Sequence, residues 1–503
     1  MAAPGSGSPL LLLQPLSVFL GLPVDQVNFV ACLLLALLAA CWFRLYLHPS
    51  HASPAVRHSV ATFLGIYLAI FCYGWYTLHF FAQVTISYYV LLFANGKHVH
   101  IYSFIIAMGC LSLCQIKFFI FDYGIYSTDF TGPMMVMAQK ITTLAYSVHD
   151  GIGRKDEDLS PEQRRYAVRV RPTLLQYYSY NFNFLSILTG PCCAYKDYLA
   201  FMEGRHLAPQ QSGVGTAATG PEEATLAACG GDNGKRPRCE PSPVSAVMYK
   251  LAVALVSLGL HLTVARGFPV NYNVDERFVQ TEPLHFRLCY LFVSIQAARP
   301  KYYFAWSIAD AINNAAGFGF NGYHKNGEAR WDLISNLNIW NIETATSFKM
   351  FLDNWNMMTV RWLKYVCYDR VKTYPTVATF VLSAAWHGVY PGYYFTFLTG
   401  IIMSLSARAM RNNFRHYFLG SKTVKVAYDV VTWAATQLSI CYTVAPFVMY
   451  GMKPALDFYR SMYYCLHVVT VVILLVLPIR ARPLAPTVTA SSPTNHTQAR
   501  KTQ

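Results

Sequence analysis

The sequence has 503 residues, a formal net charge of +15, a hydrophobic fraction of 54% and a charged fraction of only 13%. A soluble chain usually carries about 25% charged residues, so the composition argues against the roughly three soluble domains that the length alone would suggest. The basic residues lie in loops beside apolar segments, which is typical of a protein that crosses a bilayer many times rather than of a nucleic-acid-binding protein.

A helix needs about 20 mostly apolar residues to cross the hydrocarbon core of a bilayer. Candidate segments occur at 27–47, 59–81, 76–94, 101–121, 173–190, 244–265, 284–298, 300–318, 375–405, 426–450 and 455–478. Because some of them overlap or run together, they predict about ten transmembrane or re-entrant helices. Unpaired backbone groups are costly in lipid, so the predicted fold class is all-α, a polytopic membrane protein with helices around a central chamber.

The apolar segments delimit one membrane-embedded domain at 27–482. Residues 1–26 lack the basic start of a secretory signal peptide, and we interpret them as an interfacial lead-in to the first span. Residues 203–243 are rich in Gly, Ala, Pro and polar side chains, which indicates a flexible loop inserted in the domain. The similar segment 483–503 is expected to be a cytosolic tail.

Basic residues cluster in loops that the positive-inside rule assigns to the cytosol. These loops are 153–172, 234–238, 411–416 and 480–482. In the first of them, Ser160 can cap a helix that begins at Pro161, and Gln163 completes a capping box. Basic and apolar residues alternate after it, which predicts an amphipathic helix on the anionic face of the membrane.

The stretch 319–374 is too polar to span a membrane and too aromatic to be a disordered loop. Its tryptophans favour positions with one apolar and one wet side. We therefore expect short interfacial or re-entrant helices there. Irregular backbone at membrane depth is tolerated only inside protein or along a water-filled cavity, so this stretch also predicts a cavity.

His387 lies in an apolar run, since residues 373–407 contain no Asp, Glu, Lys or Arg. An ionisable side chain inside a span is costly and predicts a functional site. Imidazole is the natural general base near neutral pH. Ser383, four residues earlier, shares its helix face, and we expect the Ser383 hydroxyl to orient the ring. The alternative is a structural histidine bonded to a backbone carbonyl.

A helix break is predicted just after this histidine. Gly388 allows another helix or a substrate to approach closely. The sequence Tyr390-Pro391-Gly392 can then kink or end the helix. The imidazole is therefore expected near irregular backbone.

Two asparagines in the sequence LDNWN, Asn354 and Asn356, flank Trp355 in the polar stretch before the histidine. An asparagine amide can orient a substrate hydroxyl or donate to a developing oxyanion. We therefore expect one of the two to act with His387.

Phosphate contacts are a weaker hypothesis. The sequence GFGFNG at 317–322, which contains Asn321, can cradle phosphate, although glycines in membrane helices more often permit close packing. Arg299 and Lys301 lie at the end of a predicted span, where they either anchor the helix or contact the phosphates of a nucleotide-like ligand.

Other catalytic patterns are missing from the sequence. It has no G-x-S-x-G elbow, P-loop or H-E-x-x-H motif. Its 13 cysteines show neither a zinc-binding spacing nor a disulfide framework. We therefore predict no metal site and no permanently bound cofactor.

Several motifs together resemble the membrane-bound O-acyltransferase family, in its lysophospholipid acyltransferase branch. They are AAWHG, FLDNWN, AGFGFNG, WNIET and WHGVYPGYY. The resemblance covers nearly the whole chain, except the 203–243 loop and the tail. The sterol and diacylglycerol branch carries F-Y-x-D-W-W-N where this chain reads FLDNWN at 351–356, which speaks against a sterol or diacylglycerol acceptor.

The resemblance implies a multi-pass enzyme of the endoplasmic reticulum membrane that moves a fatty acyl group from acyl-CoA, as co-substrate, to a lysophospholipid. It implies that the family histidine is His387 and the family asparagine is Asn356, with Ser383, Trp355 and Asn354 positioning the reactants. It further implies lysophosphatidylethanolamine or lysophosphatidylserine as acceptor and oleoyl-CoA as preferred donor. Contacts to acyl-CoA are then expected from Lys301, Arg299 and Asn321; the oligomeric state is not predicted.

Three alternatives stay open at this point. Lysophosphatidylcholine is the second choice of acceptor. Acylation of a secreted protein would need an opening on the luminal side. A transporter also has many spans, broken helices and polar groups at mid-membrane.

Overall fold

The computed structural model describes residues 11–121, 130–207 and 241–479. Its α-helices are α1 (Gln14–Leu20), α2 (Val24–Tyr46), α3 (Pro54–Tyr73), α4 (Thr77–Phe93), α5 (Val99–Phe121), α6 (Thr131–Val148), α7 (Pro161–Tyr166), α8 (Leu174–Phe182), α9 (Tyr195–Met202), α10 (Val244–Gly267), α11 (Glu276–Thr281), α12 (Leu284–Ala298), α13 (Pro300–Ala316), α14 (Ile339–Glu343), α15 (Phe348–Asn354), α16 (Met357–Leu363), α17 (Pro375–His387), α18 (Pro391–Phe414), α19 (Lys422–Met449), α20 (Met452–Ser461) and α21 (Cys465–Val476). The predicted all-α class is confirmed over these ranges.

Among the described residues, four helical segments are long and apolar enough to cross a membrane. They are Val24–Tyr46, Pro54–Phe93, Val99–Phe121 and Val244–Val274, and α20 with α21 forms a fifth if that pair, bent by 74°, is one span. The multi-pass architecture is thereby supported, whereas the count of about ten spans stays a prediction.

The predicted span at 173–190 is wrong. The structure has the nine-residue helix α8 there, followed by turns. Polar side chains explain the difference, because Asn183 donates to the carbonyl oxygens of Ser179 and Tyr180 and so satisfies a non-helical backbone inside the protein. These residues are buried in protein rather than exposed to lipid.

Helix α6 was not predicted. It has 18 residues and is mostly buried, but it carries Gln139, Lys140 and Thr142 on its inner faces. Lys140 donates to the carbonyl oxygen of Tyr180 at 2.9 Å. These polar residues lower the hydropathy of a segment that the fold nevertheless buries, so a search for apolar runs passes over it.

Other predicted local features are confirmed. Ser160 caps α7, and its capping box with Gln163 is complete. The amphipathic helix predicted beyond it is wrong, because α7 ends at Tyr166 and the alternating residues 167–172 are not helical. The stretch 319–374 forms the short helices α14, α15 and α16, of five, seven and seven residues. The expected break after His387 separates α17 from α18. Most of the 203–243 loop, the basic loops at 234–238 and 480–482 and the 483–503 tail lie outside the described residues.

A buried ion-pair cluster joins the end of α6 to the turn after α16. The carboxylate of Asp150 is fully buried and accepts hydrogen bonds from Arg370 at 2.6 Å and from Tyr365 at 2.9 Å. Because a buried charge is costly without its partner, this cluster fixes the two segments relative to each other.

Two groups of buried apolar side chains form the interior. One involves α2 to α6, α8, α9, α13 and the segment 362–386. The other involves α12, α14, α15 and α18 to α20. The polar stretch 319–374 contributes side chains to both groups, so its short helices lie where the two meet.

Candidate active site

A cavity of about 1810 Å³ lies between the two apolar groups. It is lined by side chains from α5, α6, α12, α13 and α15 to α19. A pocket for one small molecule usually measures about 300–1,000 Å³, so this cavity has room for two lipid-like substrates. The predicted cavity is thus present, and His387, Asn356, Ser383, Trp355, Asn354 and Arg299 line it.

His387 is the last residue of α17 and faces the cavity. Its Nδ1 lies 2.7 Å from the backbone carbonyl oxygen of Ser383. A carbonyl oxygen can only accept, so Nδ1 carries the proton and Nε2 of the neutral ring keeps its lone pair. The ring is therefore prepared to take a proton at Nε2.

The orienting group is thus the Ser383 carbonyl and not the expected Ser383 hydroxyl. This bond within one helical turn fixes the ring without any help from the side chain of Ser383. A carbonyl bond of this kind would also suit a structural histidine. His387 lines a large cavity, however, and this position favours a chemical role over a structural one.

Aromatic rings surround the imidazole. The ring centroids of Trp386, Phe397, Phe447 and Tyr393 lie 4.6, 4.9, 5.2 and 5.8 Å from that of His387. This packing restricts rotation of the imidazole and limits access of water, so that polar interactions near the ring are strengthened.

Two further contacts hold the end of α17. The indole Nε1 of Trp386 donates to the carbonyl oxygen of Met135 on α6 at 2.9 Å. The carboxamide Nε2 of Gln115 on α5 donates to the carbonyl oxygen of Trp386 at 3.0 Å. Sequence analysis did not identify Gln115, because a neutral amide in an apolar segment carries no distinctive pattern.

Asn356 lies in the turn between α15 and α16 and adopts a left-handed conformation with φ 50° and ψ 51°. Asn336 holds this turn: its backbone carbonyl accepts from the N–H of Met357 at 2.9 Å, and its Oδ1 accepts from the N–H of Met358 at 3.0 Å. Within the described residues the Asn356 carboxamide forms no hydrogen bond. It is therefore available to a ligand in the cavity.

The other asparagine is occupied. Asn354 Oδ1 accepts from the amide of Asn341 at 3.1 Å, and Asn354 Nδ2 donates to the carbonyl oxygen of Met350 at 2.8 Å. These bonds support the turn rather than a ligand. Of the two asparagines, Asn356 is thus the one whose carboxamide is not engaged among the described residues, and its action with His387 stays a prediction.

Trp355 packs its ring against aromatic neighbours. Its centroid lies 5.6 Å from that of Trp306, 5.7 Å from that of Tyr302 and 5.9 Å from that of Phe351. An isolated antiparallel bridge joins Trp355 to Leu337. Trp355 thus forms a rigid wall of the cavity.

The three residues expected to contact acyl-CoA are not brought together. Arg299 lines the cavity but is buried in an ion pair, with Nη1 at 2.9 Å from Glu343 Oε2. Lys301 lies outside the cavity with its Nζ 4.8 Å from the ring centroid of Tyr302. Asn321 also lies outside it and donates to Asp332 Oδ1 at 2.7 Å. The expected phosphate site on these residues is therefore not supported.

A different basic group lines one end of the cavity, with Arg408, Arg411 and Arg415 near the end of α18. Within the described part of the chain, none of the three has an ion-pair partner. Their spacing of three and four residues places them on one helix face. Sequence analysis had assigned 411–416 to a cytosolic loop and missed this spacing.

The two cavity-lining lysines differ from these arginines. Lys349 pairs with Asp353, and Lys364 Nζ lies 2.9 Å from Glu162 Oε2. The hydrogen bond to Glu162 raises the pKa of Lys364, so its charge is retained and used within the protein. The arginines are therefore the cationic groups available for an anionic ligand.

This end of the cavity is distant from the imidazole. Tyr393 contacts the His387 ring, and Arg408 follows fifteen residues later on the same helix, about 22 Å away at the usual rise per residue. The cavity thus joins a cationic end to a buried base through an apolar passage.

Residues 115–445 match the model of the membrane-bound O-acyltransferase family. The chain belongs to this family. It is 56% identical to membrane-bound glycerophospholipid O-acyltransferase 1 of Mus musculus, over 93% of this chain and 92% of that protein. It is 57% identical to membrane-bound glycerophospholipid O-acyltransferase 2 of Homo sapiens, over 93% and 88% of the two chains. Lysophospholipid acyltransferase 6 of Drosophila melanogaster is 38% identical, over 92% of this chain and 62% of that protein.

Membership of the membrane-bound O-acyltransferase family confirms the resemblance drawn from the sequence motifs. It identifies the chain as a multi-pass membrane acyltransferase of lipid metabolism rather than a transporter. The matched segment contains Asn356, His387 and the arginine-lined end of the cavity.

Proposed function

We propose that this protein is a lysophospholipid acyltransferase. It transfers a fatty acyl group, preferably oleoyl, from acyl-CoA to the free glycerol hydroxyl of lysophosphatidylethanolamine or lysophosphatidylserine in the membrane of the endoplasmic reticulum. The names of the Drosophila relative and of a yeast lysophospholipid acyltransferase that is 32% identical support this acceptor class. The observation that carries the proposal is an imidazole whose unprotonated Nε2 faces a cavity of about 1810 Å³.

His387 acts as the general base. Its Nε2 takes the proton of the glycerol hydroxyl, and the resulting alkoxide attacks the thioester carbonyl carbon. A C–O bond forms, the C–S bond breaks, and the leaving CoA thiolate receives the proton from the imidazolium. No acyl-enzyme is required, and acyl-CoA is a co-substrate rather than a resident cofactor.

Asn356 stabilises the reacting atoms. Its unused carboxamide can donate to the developing oxyanion or hold the attacking hydroxyl. The left-handed turn fixes this side chain in place before the substrates bind, which reduces the cost of reaching attack geometry.

The three arginines suit the charged part of the donor. CoA carries phosphates at the end remote from its thioester, and arginine binds phosphate through paired, charge-assisted hydrogen bonds. With phosphates at Arg408, Arg411 and Arg415, the extended arm of CoA would run through the passage toward His387.

The test is an acyl-transfer assay on the detergent-purified protein with labelled oleoyl-CoA and a panel of lysophospholipids. A diacyl product from lysophosphatidylethanolamine or lysophosphatidylserine is expected. Product from lysophosphatidylcholine alone would assign the second choice of acceptor. The substitution His387→Ala should lower turnover by about 10²–10⁴-fold while the protein stays folded. Turnover near that of the wild type in this variant would refute the role of His387.

A further inference from the structure

The side-chain oxygen of Gln115, in the cavity wall, has no role in the proposed acyl transfer. Gln115 on α5 is 4% exposed and lines the cavity. Its Nε2 donates to the carbonyl oxygen of Trp386, whereas its Oε1 has no hydrogen-bond partner among the described residues. Because this buried oxygen lies in the cavity wall and has no partner among the described residues, a ligand in the cavity can supply the missing donor.

The oxygen lies beside the base. A Cβ atom on Gly388, the residue after His387, would be 3.6 Å from Gln115 Oε1. Gln115 therefore lies at the end of α17 that carries His387, whereas Arg408 follows about 22 Å along α18 from Tyr393, which contacts the His387 ring.

A second polar group of the same wall is also unused. Thr396 on α18 is 6% exposed, lines the cavity and has no partner for its hydroxyl among the described residues. Its neighbour Phe397 contacts the His387 ring. The wall near the base is therefore polar at two points that the protein itself does not satisfy.

Gln115 Oε1 requires a ligand group that donates a hydrogen bond. A carboxamide oxygen accepts hydrogen bonds only, so it cannot pair with the thioester or the phosphates of either substrate. The glycerol hydroxyl gives its proton to His387. The remaining donors are the N–H groups of an acceptor head group, the amide N–H and hydroxyl groups in the arm of CoA, and the ribose hydroxyl and adenine amino group of its adenosine end. Gln115 adjoins the base, about 22 Å from the arginines that we propose hold the CoA phosphates, so the adenosine end of CoA is out of its reach.

We propose that Gln115 Oε1 accepts a hydrogen bond from the primary ammonium of the acceptor head group, an inference that rests on the proposed function. Lysophosphatidylethanolamine and lysophosphatidylserine carry such N–H donors. The quaternary ammonium of lysophosphatidylcholine has none, so its head group would leave the oxygen unpaired. Gln115 is thus a specificity-determining residue for the acceptor.

The experiment compares two variants that both remove the Nε2 donor. Gln115→Met removes the acceptor oxygen as well, and Gln115→Glu retains it with a negative charge. The quantity measured is the ratio of kcat/KM with lysophosphatidylethanolamine to kcat/KM with lysophosphatidylcholine, with oleoyl-CoA as donor. We expect the ratio to fall on the order of tenfold in Gln115→Met and to stay at or above the wild-type value in Gln115→Glu.

Gln83 provides a matched control. It is 1% exposed, its Nε2 donates to the carbonyl oxygen of Ala107 on the neighbouring helix at 3.0 Å, and its Oε1 has no partner in the described ranges. It does not line the cavity. Gln83→Met should therefore leave the acceptor ratio unchanged, whatever it does to stability.

Three results would overturn the inference. Equal loss with both acceptors in both Gln115 variants would show that the carboxamide only holds the end of α17. An unchanged ratio with a raised KM for oleoyl-CoA would assign the N–H donor to the CoA arm. A wild-type protein that acylates no lysophospholipid would refute the proposed function itself and this inference with it. If Gln115→Met is not obtained as folded protein, Gln115→Glu alone tests the inference. A kcat/KM ratio of lysophosphatidylethanolamine to lysophosphatidylcholine below the wild-type value in Gln115→Glu would contradict the head-group contact.

Discussion

The substitution Asn336→Ala should lower turnover because it releases the turn that carries Asn356. Asn336 Oδ1 accepts from the buried backbone N–H of Met358 at 3.0 Å. Leaving such a donor without a partner costs about 1–3 kcal/mol. The left-handed conformation of Asn356, with φ 50°, costs about as much, since strained backbone of this kind amounts to about 1–3 kcal/mol.

The free energy lost with the hydrogen bond to the N–H of Met358 is therefore comparable to the backbone strain at Asn356 that this bond opposes. In the alanine variant the turn should relax for most of the time, so that Asn356 faces the cavity correctly in a minority of molecules. Since about 1.4 kcal/mol corresponds to a tenfold change in rate, kcat should fall about tenfold or more. The KM for oleoyl-CoA should change little, because the arginine end of the cavity is untouched.

Two controls separate this effect from a general loss of stability. Asn336→Asp retains an acceptor for Met358 and adds a negative charge at a helix N-terminus, so its kcat should approach that of the wild type. Thr173→Ala removes a comparable cap, a 3.3 Å bond to the N–H of Gln176 in α8, away from the cavity. It should lower the thermal midpoint without lowering kcat. A kcat within twofold of the wild type in Asn336→Ala, or an aspartate variant as slow as the alanine variant, would refute the reasoning.

Three further substitutions test other parts of the structure. Arg411→Gln should raise the KM for oleoyl-CoA about tenfold with little change in kcat. Lys453 is an exposed cation outside the cavity, so Lys453→Gln should change neither constant. An equal KM for oleoyl-CoA in the two variants would show that the arginines do not bind the donor. Asp150→Ala removes a fully buried carboxylate from its partly buried partner Arg370 and should destabilise the fold by about 3–5 kcal/mol, read as a large drop in thermal midpoint. An unchanged midpoint would contradict the ion-pair argument. Gly388→Ala places a Cβ on a residue with φ 131° and 3.3 Å from the Gln115 carboxamide, so it should abolish most activity. Gly21→Ala, at φ 63° with open space around it, should affect only stability. Full activity of Gly388→Ala would refute a strict requirement for the helix break after His387.

The long apolar helices could be predicted from the sequence because lipid imposes a simple rule on them. Helices α2 and α5 agree with the predicted segments 27–47 and 101–121 to within a few residues. The rule fails where protein replaces lipid around a segment. Helix α6 is buried together with its Lys140 and Gln139 side chains, and the predicted span at 173–190 is the nine-residue helix α8 followed by turns that Asn183 stabilises.

The proposed base was identifiable for a related reason. His387 lies in a run, 373–407, that contains no Asp, Glu, Lys or Arg, so the cost of an imidazole in lipid marks it in a single sequence. Asn336 and Gln115 carry no such mark, since their roles depend on contacts with residues 22 and 271 positions away. Arg411 and Arg415 lie in the segment 411–416 that the positive-inside rule assigned to a cytosolic loop, and only the fold places them with Arg408 at the cavity.

The position of the reactive groups at helix ends connects the fold with the chemistry. Helix α17 ends at His387, and α16 begins after Asn356, so both side chains adjoin backbone groups that no helix satisfies. Such ends can lie at membrane depth only around a protein-lined cavity. The cavity that the backbone requires is the same one in which we propose that the substrates meet.

The two ends of this cavity differ in charge. Arginines without partners among the described residues line one end, and the neutral polar wall of Gln115 and Thr396 adjoins the base. A donor that enters from the cationic end and an acceptor that binds at the neutral wall would meet at His387 from opposite sides. Because neither substrate must leave before the other binds, this arrangement favours a ternary complex and direct transfer. Initial-rate patterns that intersect are therefore expected, and parallel, ping-pong patterns would instead require an acyl-enzyme.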